Sequence, residues 1–170
     1  QSFAKPSYAG ELKEGTGLYR CDFTVPSSWE GEEVFLAFDG VLYGYDFWIN
    51  GHYGGSFASS YNHQNFNIKN FIKWRGKNIL AVKVYTKPKG YEFDINDNWS
   101  LSGIFRNVTL FSLPKIHFKD LTITTSVKEK DAVLQINALL EKSFCEGFFN
   151  DVKIFAQLVD PEGKTIKEFF

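Results

Sequence analysis

The chain is 170 residues long, about one domain and a remainder, and long enough to bury a core without help from disulfides or metals. Its 19 basic and 20 acidic side chains leave a formal charge of -1, which excludes a chain built to hold nucleic acid by bulk positive charge. The apolar stretches are short and often broken, so no membrane-crossing helix is expected, and no basic-then-apolar leader stands at the N-terminus. A soluble chain of the cytoplasm or periplasm fits these features.

Aromatic residues make up 18% of the sequence, with 18 Phe, 8 Tyr and 4 Trp, a composition that suits pleated sheets and sugar-facing surfaces better than disorder. The chain contains no Met and begins at Gln1, so it reads as a processed or excised piece. Cys21 and Cys145 lie too far apart in sequence to be assigned as a pair, and both are expected to be buried thiols.

Residues 18–25, LYRCDFTV, alternate, with Tyr19, Cys21, Phe23 and Val25 on one side and Arg20, Asp22 and Thr24 on the other. That is the pattern of a half-buried strand. Pro26 to Ser28 stop it, a second strand runs over 34–38, and Asp39-Gly40 supplies turn chemistry. In FWINGHY, residues 47–53, Asn50-Gly51 provides the two positive φ angles of a tight hairpin. FNIKNFI follows at 66–72, then a polar break at 74–78, then ILAVKVY, in which Leu80, Val82 and Val84 share a face. Another strand covers 108–111.

No helical stripe occurs before Pro114, and short strands recur between Gly, Asn and Pro, so this part reads as an antiparallel sandwich or jelly roll. After Pro114, alternating runs at 121–126, 133–139 and 152–159 are separated by turns at 128–131 and 160–163. Three or four strands are too few for an immunoglobulin-type sandwich, which needs about 7. Residues 1–114 are thus expected to form one domain and 115–170 an incomplete second one.

The histidines, His52, His63 and His117, sit on separate elements without close pairing to a carboxylate or Cys, so packed or solvated imidazoles are expected rather than a zinc site. Cys21 is mid-strand, no serine sits in a G-x-S-x-G elbow, and the glycines at 51–55 lack the strand-loop-helix setting of a phosphate cradle. The unusual stretch is 87–106, KPKGYEFDINDNWSLSGIFR, a long link that keeps polar and aromatic groups together. Long links of this kind are often functional. Asp97, Asn98 and Trp99 are suited to a sugar, with carboxylate and amide groups for hydroxyls and an indole for the C–H face. They are equally suited to an Asx turn with a buried Trp99.

The block 97–108, DNWSLSGIFRNV, together with FWINGHYGG and GTGLYRCDFTVP upstream, resembles the N-terminal sugar-binding domain of glycoside hydrolase family 2, its β-galactosidase branch in particular. The likeness runs from about Glu14 to Phe170, and the D-x-W-x-x-S-G-I-F-R block is its specific part. The resemblance implies a galactose-binding-like jelly roll, then the first strands of an immunoglobulin-like domain, with a catalytic barrel of the same chain absent from these residues. It implies a retaining β-glycosidase that hydrolyses terminal β-linked sugars, the present part positioning the carbohydrate substrate and carrying neither catalytic carboxylate. A free-standing carbohydrate-binding module is the alternative.

By the same resemblance Asp97 reaches the sugar's primary hydroxyl and a metal ion, sodium or magnesium, in the whole enzyme; no cofactor is expected in this part itself. Asn98 and Trp99 accompany it, with Trp99 either an anchor of the loop or a sugar platform. Glu14 stands where the family carries an Asn that can donate and accept, which implies a changed sugar preference or local pKa. Arg106 is either a ligand or a strut. The family's usual opening strands have no counterpart in residues 1–12, so an exposed sheet edge and a homo-oligomer are further expectations.

Overall fold

The computed structural model describes residues 15–94, 101–129, 131–142 and 152–169. All the regular structure among them is β-strand, apart from three single-turn 3₁₀ segments. No helix is long and apolar enough to cross a membrane.

A four-stranded antiparallel sheet is ordered β1-β7-β4-β5, from β1 (Thr16–Phe23), β7 (Asn78–Tyr85), β4 (Gly44–Ile49) and β5 (His52–Phe57). A three-stranded sheet is ordered β6-β2-β9, from β6 (Gln64–Asn67), β2 (Glu33–Phe38) and β9 (Val108–Leu113). Alternation along β7 decides its faces, because side chains two apart share a side. Leu80, Val82 and Val84 lie opposite Ile49, Phe47 and Tyr45 of β4, and that row faces Val34, Leu36 and Phe38 of the other sheet in one core. Phe38, Tyr45, Phe47 and Phe66 cross at centroid distances of 4.3 to 6.3 Å, all tilted or edge-on, the arrangement that ring quadrupoles favour.

The hairpin between β4 and β5 takes the expected form: Asn50 (φ 53°) and Gly51 (φ 86°) both occupy the left-handed region, which Asn and Gly tolerate best. Asn50 is more than a turn residue. Its Nδ2 donates to Phe71 O and to Asn78 Oδ1, and its Oδ1 accepts from the Ile79 N–H. Asn78 is fully buried and exchanges hydrogen bonds with Lys73, its Nδ2 donating to the carbonyl and its Oδ1 accepting from the N–H. The polar stretch before β7 is therefore an internal clamp. At 66–72 the chain completes β6 and then turns through 3₁₀ residues Lys69–Phe71. Glu33 is buried nearby; burial alone would raise its carboxyl, but hydrogen bonds from Lys69 Nζ at 2.6 Å and Asn67 Nδ2 at 2.7 Å hold it below the usual range.

Two short strands escape the period-2 reading: β3 (Val41–Leu42) pairs with β8 (Gly103–Ile104). After Pro114 come two hairpins, β10 (Ile116–Lys128) with β11 (Asp131–Lys142), and β12 (Ala156–Val159) with β13 (Thr165–Phe169). The turn between β12 and β13 is held by Gly163 N–H to Asp160 O and Lys164 N–H to Asp160 Oδ1.

One expectation fails at β1. Cys21 does face inward, opposite Leu80, yet it is exposed and not a buried thiol. The reason is its position on an edge strand: between β1 and β9 the sandwich opens into a cavity of about 260 Å³ walled by Tyr19, Cys21, Phe23, Leu80, Val108 and Leu110. Cys145 lies outside the described residues. Partial desolvation, helped by the Asp22 carboxylate, pushes the Cys21 thiol above its ordinary pKa. In a Cys145→Ser chain, alkylation of Cys21 by iodoacetamide is therefore expected to rise with pH through a midpoint above that of the urea-unfolded chain, because only the thiolate attacks. Equal midpoints for the folded and unfolded chains would remove the desolvation argument.

Candidate functional site

Asp97, Asn98, Trp99 and Glu14, and with Asp97 the sodium or magnesium expectation, lie outside the described residues. What the structure does place is the framework at both ends of residues 95–100. On the incoming side the chain turns through 3₁₀ residues Tyr91–Phe93. There the Asp94 carboxylate accepts two hydrogen bonds from Ser60, one from its N–H and one from its hydroxyl, each 2.8 Å. Ser60 is fully buried, so this latch is shielded from competing water. Tyr91 meets the buried Tyr43 ring edge-on at 5.4 Å.

On the outgoing side, Gly103 and Ile104 pair with Leu42 and Val41, and the N–H groups of Phe105 and Arg106 both point to Gly40 O at 3.4 Å. Both flanks thus reach one strip, 40–43, Tyr91 through its ring contact with Tyr43 and residues 103–106 through backbone hydrogen bonds, while Asp94 is held by Ser60. Gly40 is there for space: a Cβ on it would stand 2.7 Å from Phe105 Cζ, closer than carbon atoms approach without bonding.

Beside this strip lies a cluster of polar and aromatic side chains. His63 donates Nδ1–H to Asp39 Oδ1 at 2.9 Å, with both groups partly open to solvent. This corrects the expectation that the histidines stand apart from carboxylates, since the fold brings positions 39 and 63 together. His117 likewise approaches Glu141, 3.7 Å from Nε2, while its Nδ1 donates to Pro114 O. Tyr61 and Phe105 meet edge to face at 6.1 Å and 71°, and the Arg106 guanidinium lies 5.2 Å from the Phe105 ring centroid. No described carboxylate pairs with Arg106, so among the described residues its recorded partner is a ring and not a carboxylate strut.

Ser60 and the Asp39–His63 pair carried no signal in the sequence: their partners lie 34 and 24 residues away. Among the described residues no three His, Cys, Asp or Glu side chains converge as a metal cage would require.

Residues 3–114 match the sugar-binding domain of the glycosyl hydrolases family 2. The chain is 32% identical over 136 residues to a β-galactosidase of Priestia megaterium and 37% identical over 126 residues to one of Lactococcus lactis. These alignments take in 79% and 74% of this chain but only 13% and 12% of those proteins. Among solved structures, a β-glucuronidase of Bacteroides uniformis superposes with a TM-score of 0.75 and 27% identity, over 92% of this chain and 19% of that one. A β-sandwich whose residues 3–114 match this family model, together with these likenesses, places the chain in glycosyl hydrolase family 2, where it carries the sugar-binding domain.

Proposed function

We propose that this chain is the N-terminal part of a retaining, β-galactosidase-like glycosidase that hydrolyses terminal β-linked sugars by double displacement. The two carboxylates of that reaction, about 5 to 5.5 Å apart, belong to a barrel beyond these residues. This chain positions the non-reducing sugar, with Asp97, Glu14, Asn98 and Trp99 as its substrate-binding residues. The observation that supports this reading is the anchoring of the residues that flank the D-x-W block, Asp94 on Ser60 and Gly103 on Leu42. Holding a side chain in place before the substrate arrives lowers the entropy cost of orienting it.

Residues 115–170 fit the opening strands of an immunoglobulin-like domain. Leu121, Ile123 and Val127 of β10 share a face with Ala138, Ile136 and Ala132 of β11, and this apolar side is exposed. A one-sided apolar sheet asks for a second layer. The expected result for the 170-residue chain, rigorously purified, is no turnover of nitrophenyl β-galactoside, with activity appearing only in a longer protein that includes the barrel. Turnover by the short chain itself would overturn the assignment.

A further inference from the structure

β1 is an edge strand, and among the described residues no strand pairs with it on the side away from β7. Its eight residues, TGLYRCDF, keep an unbroken register with β7. They carry none of the devices that blunt an edge: no proline, no bulge and no charge on the inward face. The open backbone groups belong to particular residues. The Thr86 N–H donates to Gly15 O, next to the Thr16–Tyr85 pair, and in an antiparallel ladder the backbone groups of successive residues point to alternate sides. Tyr19, Cys21 and Phe23 therefore turn theirs toward β7, while the N–H and C=O groups of Leu18, Arg20 and Asp22 face outward from the sheet.

We propose that this edge docks a second copy of the chain, β1 pairing antiparallel with β1 across a two-fold axis at Cys21. Charge selects that register. With the axis at Cys21, Arg20 stands opposite Asp22 of the second copy and Asp22 opposite its Arg20, and both side chains are exposed on the outer face. An axis one residue away in either direction sets Arg20 against Arg20 or Asp22 against Asp22, like charges directly opposed, which is unfavourable. A half-step would match outward backbone groups with residues whose groups already serve β7. The Asp22 carboxylate holds Lys77 through Oδ2 in an exposed pair, which leaves Oδ1 for Arg20 of the second copy. On the inner face Tyr19 meets Phe23 of the second copy on each side of the axis, over the cavity of about 260 Å³ that both rings already wall. Aromatic pairs of this kind stabilise adjoining strands.

The test is sedimentation velocity of the 170-residue chain over a concentration series, in which a monomer–dimer equilibrium is expected. Arg20→Asp sets acid against acid at both pairs and should weaken dimerisation about tenfold, as should Asp22→Arg. The double variant Arg20→Asp/Asp22→Arg restores opposite charges and should recover the dimer. Because both sites are exposed, urea midpoints measured on dilute protein should stay near that of the parent, which reports an intact fold. The register has its own readout in a Cys145→Ser chain. Directly opposed residues of a non-hydrogen-bonded pair have Cα atoms about 4.5 Å apart, within the span of a disulfide. Diamide, which takes two electrons and two protons from a pair of thiols, should therefore join Cys21 of one copy to Cys21 of the other. A chain that stays monomeric throughout the series, a dimer that charge reversal does not weaken or the double variant does not recover, or one whose Cys21 thiols diamide fails to join would overturn the proposal. None of these outcomes depends on whether the longer protein is a glycosidase.

Discussion

Phe47→Ala is expected to destabilise the chain by about 3 to 5 kcal/mol, the range for truncating a fully buried phenylalanine to leave a cavity. The ring is fully buried and is gripped on several sides. Phe38 and Phe66 lie at centroid distances of 5.6 and 4.7 Å, and the backbone of Gly54 and Gly55 passes so close that a Cβ at position 54 would sit 2.2 Å from Phe47 Cε2. The surrounding atoms belong to two hydrogen-bonded sheets and cannot collapse into the space, so the lost contacts are not recovered. Urea unfolding is the measurement, with a lower midpoint at unchanged slope. Leu18→Ala, at a side chain 68% exposed on the edge strand β1 of the same sheet, should change stability by no more than about 0.5 kcal/mol. A Phe47 variant as stable as the Leu18 variant would show that the two sheets do not pack through this ring.

The same residues mark what the sequence could and could not reveal. Phe47 falls in an alternating run next to Asn-Gly, and both signals are local: period-2 burial sets the face and two positive φ angles set the turn. β7 is legible for the same reason. β3 and β8 are two residues each, too short for any period to register, and they emerge only because distant segments meet. β13 is hidden by its spacing, since the apolar residues of TIKEF, Ile166 and Phe169, fall three apart and break the period of two. At Cys21 alternation gives the correct face but not the exposure, which depends on whether another strand covers the seam beside it.

The candidate site divides along the same line. The aromatic and acidic character of 87–106 and its unusual length are readable directly, and the resemblance singles out the positions to test. What holds the segment is not readable. Asp94 looks like any loop carboxylate until the buried Ser60 is found to donate to it twice, and Asp39 and His63 are ordinary turn residues until the sheets bring them within 2.9 Å. Such pairings are long-range consequences of register, with no local propensity to announce them.

The second large effect concerns Asp97 in the longer protein. Asp97→Ala is expected to lower kcat/KM for nitrophenyl β-galactoside by about tenfold to a hundredfold, the loss that follows when a carboxylate no longer bonds a substrate hydroxyl at a desolvated site. If the contact is uniform through the reaction, the loss falls in KM; if it tightens as the sugar distorts, it falls in kcat. A structural contribution is separable, because the flanking contacts of Asp94 with Ser60 and of Gly103 with Leu42 involve no atom that the substitution removes. The unfolding midpoint of Asp97→Ala should therefore stay close to that of the parent, while Asp94→Ala should lower both stability and activity, since it releases the latch and leaves Ser60 buried without its acceptor. Asp97→Asn keeps one acceptor oxygen but loses the charge, so it should fall between the parent and Asp97→Ala. Unchanged kinetics in Asp97→Ala, with Asp94→Ala impaired, would mean that the loop matters for the fold alone and that Asp97 forms an Asx turn rather than a sugar contact.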